Sequence, residues 1–99
     1  MIDLEPIHLQ LVRSILVQHM PQASVWAFGS RVQGRAWKFS DLDLAIDANA
    51  PITLRAIGLL KEAFQESRLP MKVDVIDLHG VTPEFRALIE HDREQIQRS

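Results

Sequence analysis

The stretch "FGSRVQGRAWKFSDLDLAID", Phe28 to Asp47, decides the fold. Its last seven residues alternate. Read as a strand, they place Asp41, Asp43 and Ala45 on one face and Leu42, Leu44 and Ile46 on the other. The apolar face asks to be covered, and the opposite face carries chemistry. Asp41 and Asp43 then have α-carbons ~6.6–7 Å apart, and two unpaired like charges at that spacing repel and raise a pKa. A divalent cation removes the penalty. Carboxylate oxygens suit magnesium, which keeps waters and completes its shell with substrate phosphates. Two such ions ~3.5–4 Å apart can clamp the attacking and leaving oxygens of an in-line displacement. Asp-x-Asp alone also serves as turn caps at strand starts, so its neighbours must decide.

Upstream, "ASVWAFG" is short and β-rich, and reads as a buried strand over about 24–28 closed by Gly29. Glycine there lets the backbone approach a ligand closely. Ser30 adds a hydroxyl and an N–H, and Arg31, Arg35 and Lys38 bring three cations with no acid between them. Arginine suits bidentate phosphate contact, and Gly34 permits a tight turn. The P-loop pattern is absent. Residues 30–40 are too polar for a strand and too long for a tight hairpin, which marks them as functional; they can begin with one helical turn.

Outside this stretch, "DLEPIHLQLVRSILVQHMP" sets Ile7, Leu11 and Ile15, with Leu4, Val12 and Leu16, at helical spacing. Asp3 is its expected cap, and Pro21 ends it. "APITLRAIGLLKEAFQESRLP" spaces Leu54, Ile57, Leu60 and Phe64 as a helix behind Thr53. "MKVDVIDL" is a further strand. "VTPEFRALIEHDREQI" reads as a last helix capped by Thr82, with Pro83 at its first position and a stripe of Phe85, Leu88 and Ile89. The expected fold is α/β: a small mixed sheet, three-stranded or slightly larger, flanked by about four helices. The 99 residues, read as one domain over 1–99, carry a net charge of -2 and no cysteine. That excludes disulfides, thiolate metal sites and a thiol nucleophile, and no global basic field argues for direct nucleic-acid binding. No apolar run reaches the ~20 residues needed to cross a bilayer, and a cytoplasmic location is expected.

A third carboxylate would complete a metal site. Asp74 and Asp77 fall on opposite faces of a regular strand, so only one can join Asp41 and Asp43. Asp74 is preferred because Asp77 stands at the strand's exit. Asp47 and Asp77 read as solvent-facing strand ends, and the four histidines as surface or cap residues. Trp26 and Phe28 read as core. Trp37, in the loop, is assigned to covering the core edge rather than to stacking on a base.

Gly29-Ser30, a spacer of ten residues and Asp41-x-Asp43, set in this order of elements, resemble the nucleotidyltransferase superfamily that includes DNA polymerase beta. More narrowly, "GSRVQGRAWKFSDLDLAI" looks like the minimal nucleotidyltransferase (MNT) family, which typically reads Gly-Ser-x-Ala-Arg-Gly and then Ser-Asp-x-Asp-Leu. The resemblance implies that Gly29 and Ser30 bind a triphosphate, with Arg31 and Arg35 as supporting cations. Asp41, Asp43 and Asp74 become magnesium ligands, Asp74 also helping to activate the attacking hydroxyl. Ser40 matches the serine before the acidic pair; the resemblance counts it with the nucleotide-binding residues Gly29, Ser30, Arg31 and Arg35, and implies that it braces the loop by hydrogen bonding. Gln33 and Val32 depart from the pattern, standing where arginine and alanine are usual. The implied activity is transfer of AMP, or another nucleotidyl group, from ATP to an acceptor hydroxyl. The implied partner is a helical HEPN toxin, modified on a tyrosine, with this chain as its antitoxin. With the chain read as a minimal domain, the partner also supplies the missing wall of the site. The competing reading is a non-catalytic nucleotide-binding or docking module that neutralises such a partner.

Overall fold

The computed structural model describes residues 2–98. Helix α1 (Pro6–His19) starts behind Glu5, with proline where a missing N–H costs nothing. No side chain caps it. Asp3, expected in that role, is tied elsewhere: its N–H donates to the Arg31 carbonyl at 2.6 Å and its carbonyl accepts from the Arg31 guanidinium at 2.8 Å. Strand β1 (Ser24–Phe28) leads through Gly29 into the single turn α2 (Ser30–Gln33). Then come β2 (Leu42–Asp47), α3 (Leu54–Gln65), β3 (Val73–Asp77), a 3-10 turn (Leu78–Gly80), α4 (Pro83–His91) and β4 (Arg93–Gln97). Thr53 and Thr82 cap α3 and α4 as read, accepting from Ala56 N–H and Phe85 N–H.

The sheet has four strands in the order β3-β2-β1-β4. β1 is antiparallel to both its neighbours, and β2 and β3 are parallel. The fourth strand corrects the sequence reading, in which the last helix ran on through residue 96. α4 ends at His91, and residues 93–97 turn back along β1. Burial explains the switch: Ile96 is 5% exposed within the main core, while the Arg93 guanidinium lies 4.4 Å from the Trp26 ring. Continuing the helix would forfeit both contacts and leave an edge of β1 unpaired.

One sheet face packs against α1 and α3. Val12, Leu16, Val25, Ala27, Leu42, Leu44, Ile46 and Leu60 are fully buried there. This is the apolar face expected of "DLDLAID". Truncating one of its leucines to alanine costs ~2–5 kcal/mol by loss of transfer energy plus the cavity left behind. The other face has a smaller cluster: Ala45, Leu78 and Ile89 are buried, with Trp26, Phe28, Ile76 and Val81 packed against them. Trp26 and Phe28 thus belong to this thinner layer, Phe28 meeting Phe85 edge-on at 6.3 Å. The helical stripes are only partly covered. Ile7 is 69%, Leu54 90% and Leu88 70% exposed, and α4 buries mainly Ile89.

Candidate active site

Strand register assembles the site. Asp43 on β2 lies opposite Phe28 on β1 and Asp74 on β3. Directly paired residues share a face and neighbouring strands run ~4.8 Å apart, so Asp43 and Asp74 stand side by side. Asp77 pairs with Ile46 and falls on the other face at the far end of β3. Its carboxylate accepts from Ile52 N–H at 2.8 Å and His79 N–H at 3.0 Å, which ties down two turns. Asp47 is likewise engaged, with Asn49 N–H at 2.9 Å and His79 Nε2 at 2.8 Å. Neither is the idle, solvent-facing strand end that the sequence suggested.

Asp43 is treated differently. Burial, then the neighbouring Asp74 and Asp41 carboxylates, push its carboxyl up to about 6. Among the described residues no cation pairs with it. Asp74 has one, Lys72 Nζ at 3.5 Å from Oδ1. The repulsion expected of a same-face Asp-x-Asp is therefore present.

Gly29 fixes the turn against this carboxylate. Its φ is +80°, a region that L side chains rarely adopt. A Cβ added there would lie 2.4 Å from Asp43 Oδ2. The sequence reading has glycine admit a ligand; what a side chain here would meet in the structure is Asp43, the second carboxylate of the Asp-x-Asp pair. Ser30 opens the turn that follows. Gly34 closes it at φ +74°, and Arg35 N–H donates to the Ser30 carbonyl at 3.1 Å.

Arg31 does not fit the expectation of a phosphate ligand. It is 6% exposed, and its guanidinium donates to the carbonyls of Ser40 (2.9 Å), Asp3 (2.8 Å) and Lys38 (3.2 Å). It is a clamp that draws the loop ahead of Asp41 and the N-terminal segment onto α2. Ser40 works in the same clamp: it is buried, and its Oγ accepts from Trp37 N–H at 2.9 Å. The brace assigned to it is present, whereas a direct nucleotide contact does not suit its burial. Arg35 remains at the surface, where its guanidinium donates to Gln33 Oε1. Gln33, the departure from the family pattern, thus holds the Arg35 guanidinium. Trp37 is 67% exposed, against the expectation that it covers the core, and meets Phe39 edge-on at 5.6 Å.

The side chains that could hold a hard divalent cation are Asp41, Asp43 and Asp74. Among the described residues no three His, Asp or Glu groups converge as a ready-made cage. The donor set nevertheless fits magnesium, which binds through one or two carboxylates and takes its remaining ligands from water and substrate phosphates. The raised Asp43 carboxyl is the position where a cation would be most welcome.

A mixed sheet with an Asp-x-Asp strand beside a glycine turn defines a nucleotidyltransferase. Residues 10–98 match the family model described as Polymerase beta, Nucleotidyltransferase, and the chain belongs to that family. Within it, the chain is similar to "Probable protein adenylyltransferase MntA" of Haemophilus influenzae, with 48% identity over 88 residues, covering 89% of this chain and 77% of that one. It also resembles a solved toxin–antitoxin complex with AMP-PNP: TM-score 0.78, 23% identity, 92% of this chain and 73% of that one. A complex of tri-AMPylated Shewanella oneidensis HEPN toxin with MNT antitoxin gives TM-score 0.71 at 19% identity, over 94% and 71% of the two chains. At these identities the two complexes speak for the fold.

Proposed function

We propose that this chain transfers AMP from ATP to the tyrosine hydroxyl of a helical HEPN-type toxin and so acts as its antitoxin. The observation that carries the reading is Asp43: a carboxylate beside Asp41 and Asp74, with its carboxyl pushed up to about 6 and no cation paired to it among the described residues. A fold that gathers like charges without compensating them is prepared for a cationic ligand. The similarity to a protein named as an adenylyltransferase supports AMP as the group moved. The likeness to a complex holding an AMPylated HEPN toxin supports the acceptor.

Asp41, Asp43 and Asp74 would hold magnesium, which when bound neutralises the charge developing on the α-phosphate and pyrophosphate. Gly29 and Ser30 face the triphosphate, with Arg35 as the supporting cation. Arg31 and Ser40 act at one remove, holding the loop that delivers Asp41. The acceptor oxygen attacks the α-phosphorus and forms the new P–O bond. The bond to the bridging oxygen breaks, and pyrophosphate leaves. The hydroxyl proton passes to Asp74 and on to solvent. A reaction that draws on ATP suits the cytoplasm. Among the described residues no helix is long and apolar enough to cross a membrane.

The test is incubation with ATP labelled in its α-phosphate, magnesium and the protein encoded beside this one. Label on a tyrosine of that neighbour, lost on chelation, is the expected result. Neutralisation of the neighbour with no label transferred would instead favour the docking module.

A further inference from the structure

The loop between α2 and β2 carries two large apolar side chains into solvent. Trp37 is 67% and Phe39 55% exposed, and their rings meet edge-on. Lys38 Nζ stands 5.5 Å from the Phe39 ring centre. The backbone beneath them is held. Ser40 N–H donates to the Trp37 carbonyl at 3.0 Å, and Trp37 N–H donates to the buried Ser40 Oγ at 2.9 Å. The buried Arg31 guanidinium grips the carbonyls of Lys38 and Ser40. Beside Trp37 opens a hollow of about 310 Å³, with Leu4, His8, Pro70 and Met71 also in its wall. Aromatic groups on a backbone already fixed lose little freedom on association, and tryptophan is enriched among the residues that carry most of an interface's affinity.

We infer that this loop is the docking anchor for the partner protein, which meets it with an apolar pocket for the indole and a rim of carboxylates. The partner's identity rests on the reading of the proposed function; the surface and its chemistry rest on the loop. Arg35 and Lys38 are both exposed, and no acid stands anywhere from residue 31 to residue 40. The acids of the hollow, Asp3 and Glu5, come from the N-terminal segment. A partner facing the loop therefore gains by presenting negative charge. A single nucleic-acid strand is the poorer occupant. Two exposed cations make no track for a phosphate backbone, the third, Arg31, is spent on carbonyls, and the chain carries a net charge of -2. Phe39 is two residues from Asp41, no more than ~7 Å along the chain, and Trp37 four residues, no more than ~14 Å. A partner seated on the pair lies within reach of the carboxylates, while the anchor itself stands beside the chemistry and takes no part in it.

The experiment titrates the full chain with the protein encoded beside it. Trp37 emission should shift to the blue and lose its quenching by acrylamide as that neighbour is added. Trp37→Ala should weaken binding by ~30-fold or more and Phe39→Ala by about tenfold. Lys38→Glu should slow association and reduce its salt dependence. All three variants should melt with wild type and keep its stabilisation by ATP and magnesium, since the side chains they alter are exposed. Full affinity in both Trp37→Ala and Phe39→Ala, a loss of affinity matched by a loss of folding, or displacement of the neighbour from Trp37 by a single-stranded oligonucleotide would overturn the anchor. A neighbour that wild type does not bind removes the anchor and the proposed acceptor together. The remaining outcomes separate the two ideas. Binding through Trp37 with no label transferred from ATP leaves the anchor standing and removes the transferase. Transfer with an acceptor KM unmoved by Trp37→Ala leaves the transferase standing and removes the anchor.

Discussion

The polar ends of β2 offer a comparison within one strand. At its start, Asp43 sits with Asp41 and Asp74; at its end, Asp47 sits near Asp77 and His79. The residue type is the same and the treatment is opposite. Asp47 is held below the usual carboxylate range by the Asn49 N–H and then by its hydrogen bond to His79. Asp43 is driven up to about 6 by burial and by its acidic neighbours. One end of the strand satisfies its carboxylates and locks two turns in doing so. The other leaves a carboxylate wanting, and that is the signature of a place reserved for a ligand.

The sharpest way to break the contrast is to neutralise the unsatisfied end. Asp43→Asn, or Asp41→Asn with it, should lower nucleotidyl transfer by ~10³-fold or more, on the scale of losing an essential electrostatic element of a site. Asp47→Asn should leave transfer within about threefold, since surface substitutions away from the chemistry shift little. Labelled-ATP transfer rates check both. Next in size is the clamp. Arg31→Ala strands three carbonyls and should destabilise the fold by ~2–4 kcal/mol, read from urea unfolding.

A smaller effect has the less familiar sign. Because the folded Asp43 carboxyl is at about 6, against 3.8 for the free group, the folded state holds its proton more tightly than the unfolded one. The contribution of Asp43 to stability without metal is therefore fullest below pH 3.8, declines as the pH rises, and carries its whole penalty above about pH 6. Asp43→Asn should accordingly stabilise the chelated protein at pH 7 by on the order of 1–2 kcal/mol, discounted for solvent access, with the gain gone by about pH 4. Melting curves in chelator across that range test it, and a variant no more stable than wild type at pH 7 would sink it. The smallest effect belongs to the satisfied end. The lowered Asp47 contributes stability that is present above the unfolded value of 3.8 and lost as the pH falls through its folded one. Asp47→Asn should cost below ~1 kcal/mol at pH 7, the scale of a partly exposed pair.

This contrast is half legible in the sequence. The repulsion between Asp41 and Asp43 follows from strand spacing, and the parity of β3 by itself separates Asp74 from Asp77. The parallel register that sets Asp74 beside Asp43 is a property of the fold and has no local signal. What local reading could not see is which carboxylates the tertiary structure would satisfy: His79 lies 32 residues from Asp47, and Ile52 25 residues from Asp77. Arg31 failed for the same reason. Among three loop cations nothing local distinguishes the one that meets Asp3 across 28 residues. β4 was missed because Arg93–Gln97 follows α4 without a proline or glycine and carries a single apolar residue, Ile96. One apolar residue sets no period of two, so nothing local outweighs the helix before it.

The near-contact between Gly29 and Asp43 Oδ2 has an implication for how such a site can change over time. Turn and carboxylate occupy one another's space, so their substitutions should be epistatic. An alanine at position 29 meets both a steric and a conformational penalty while the aspartate is present. Shortening the aspartate relieves the first and leaves the second, at the expense of a metal ligand. A change in the turn is therefore coupled to the placement of a site carboxylate, and a lineage that has lost the aspartate still meets the conformational half of the penalty.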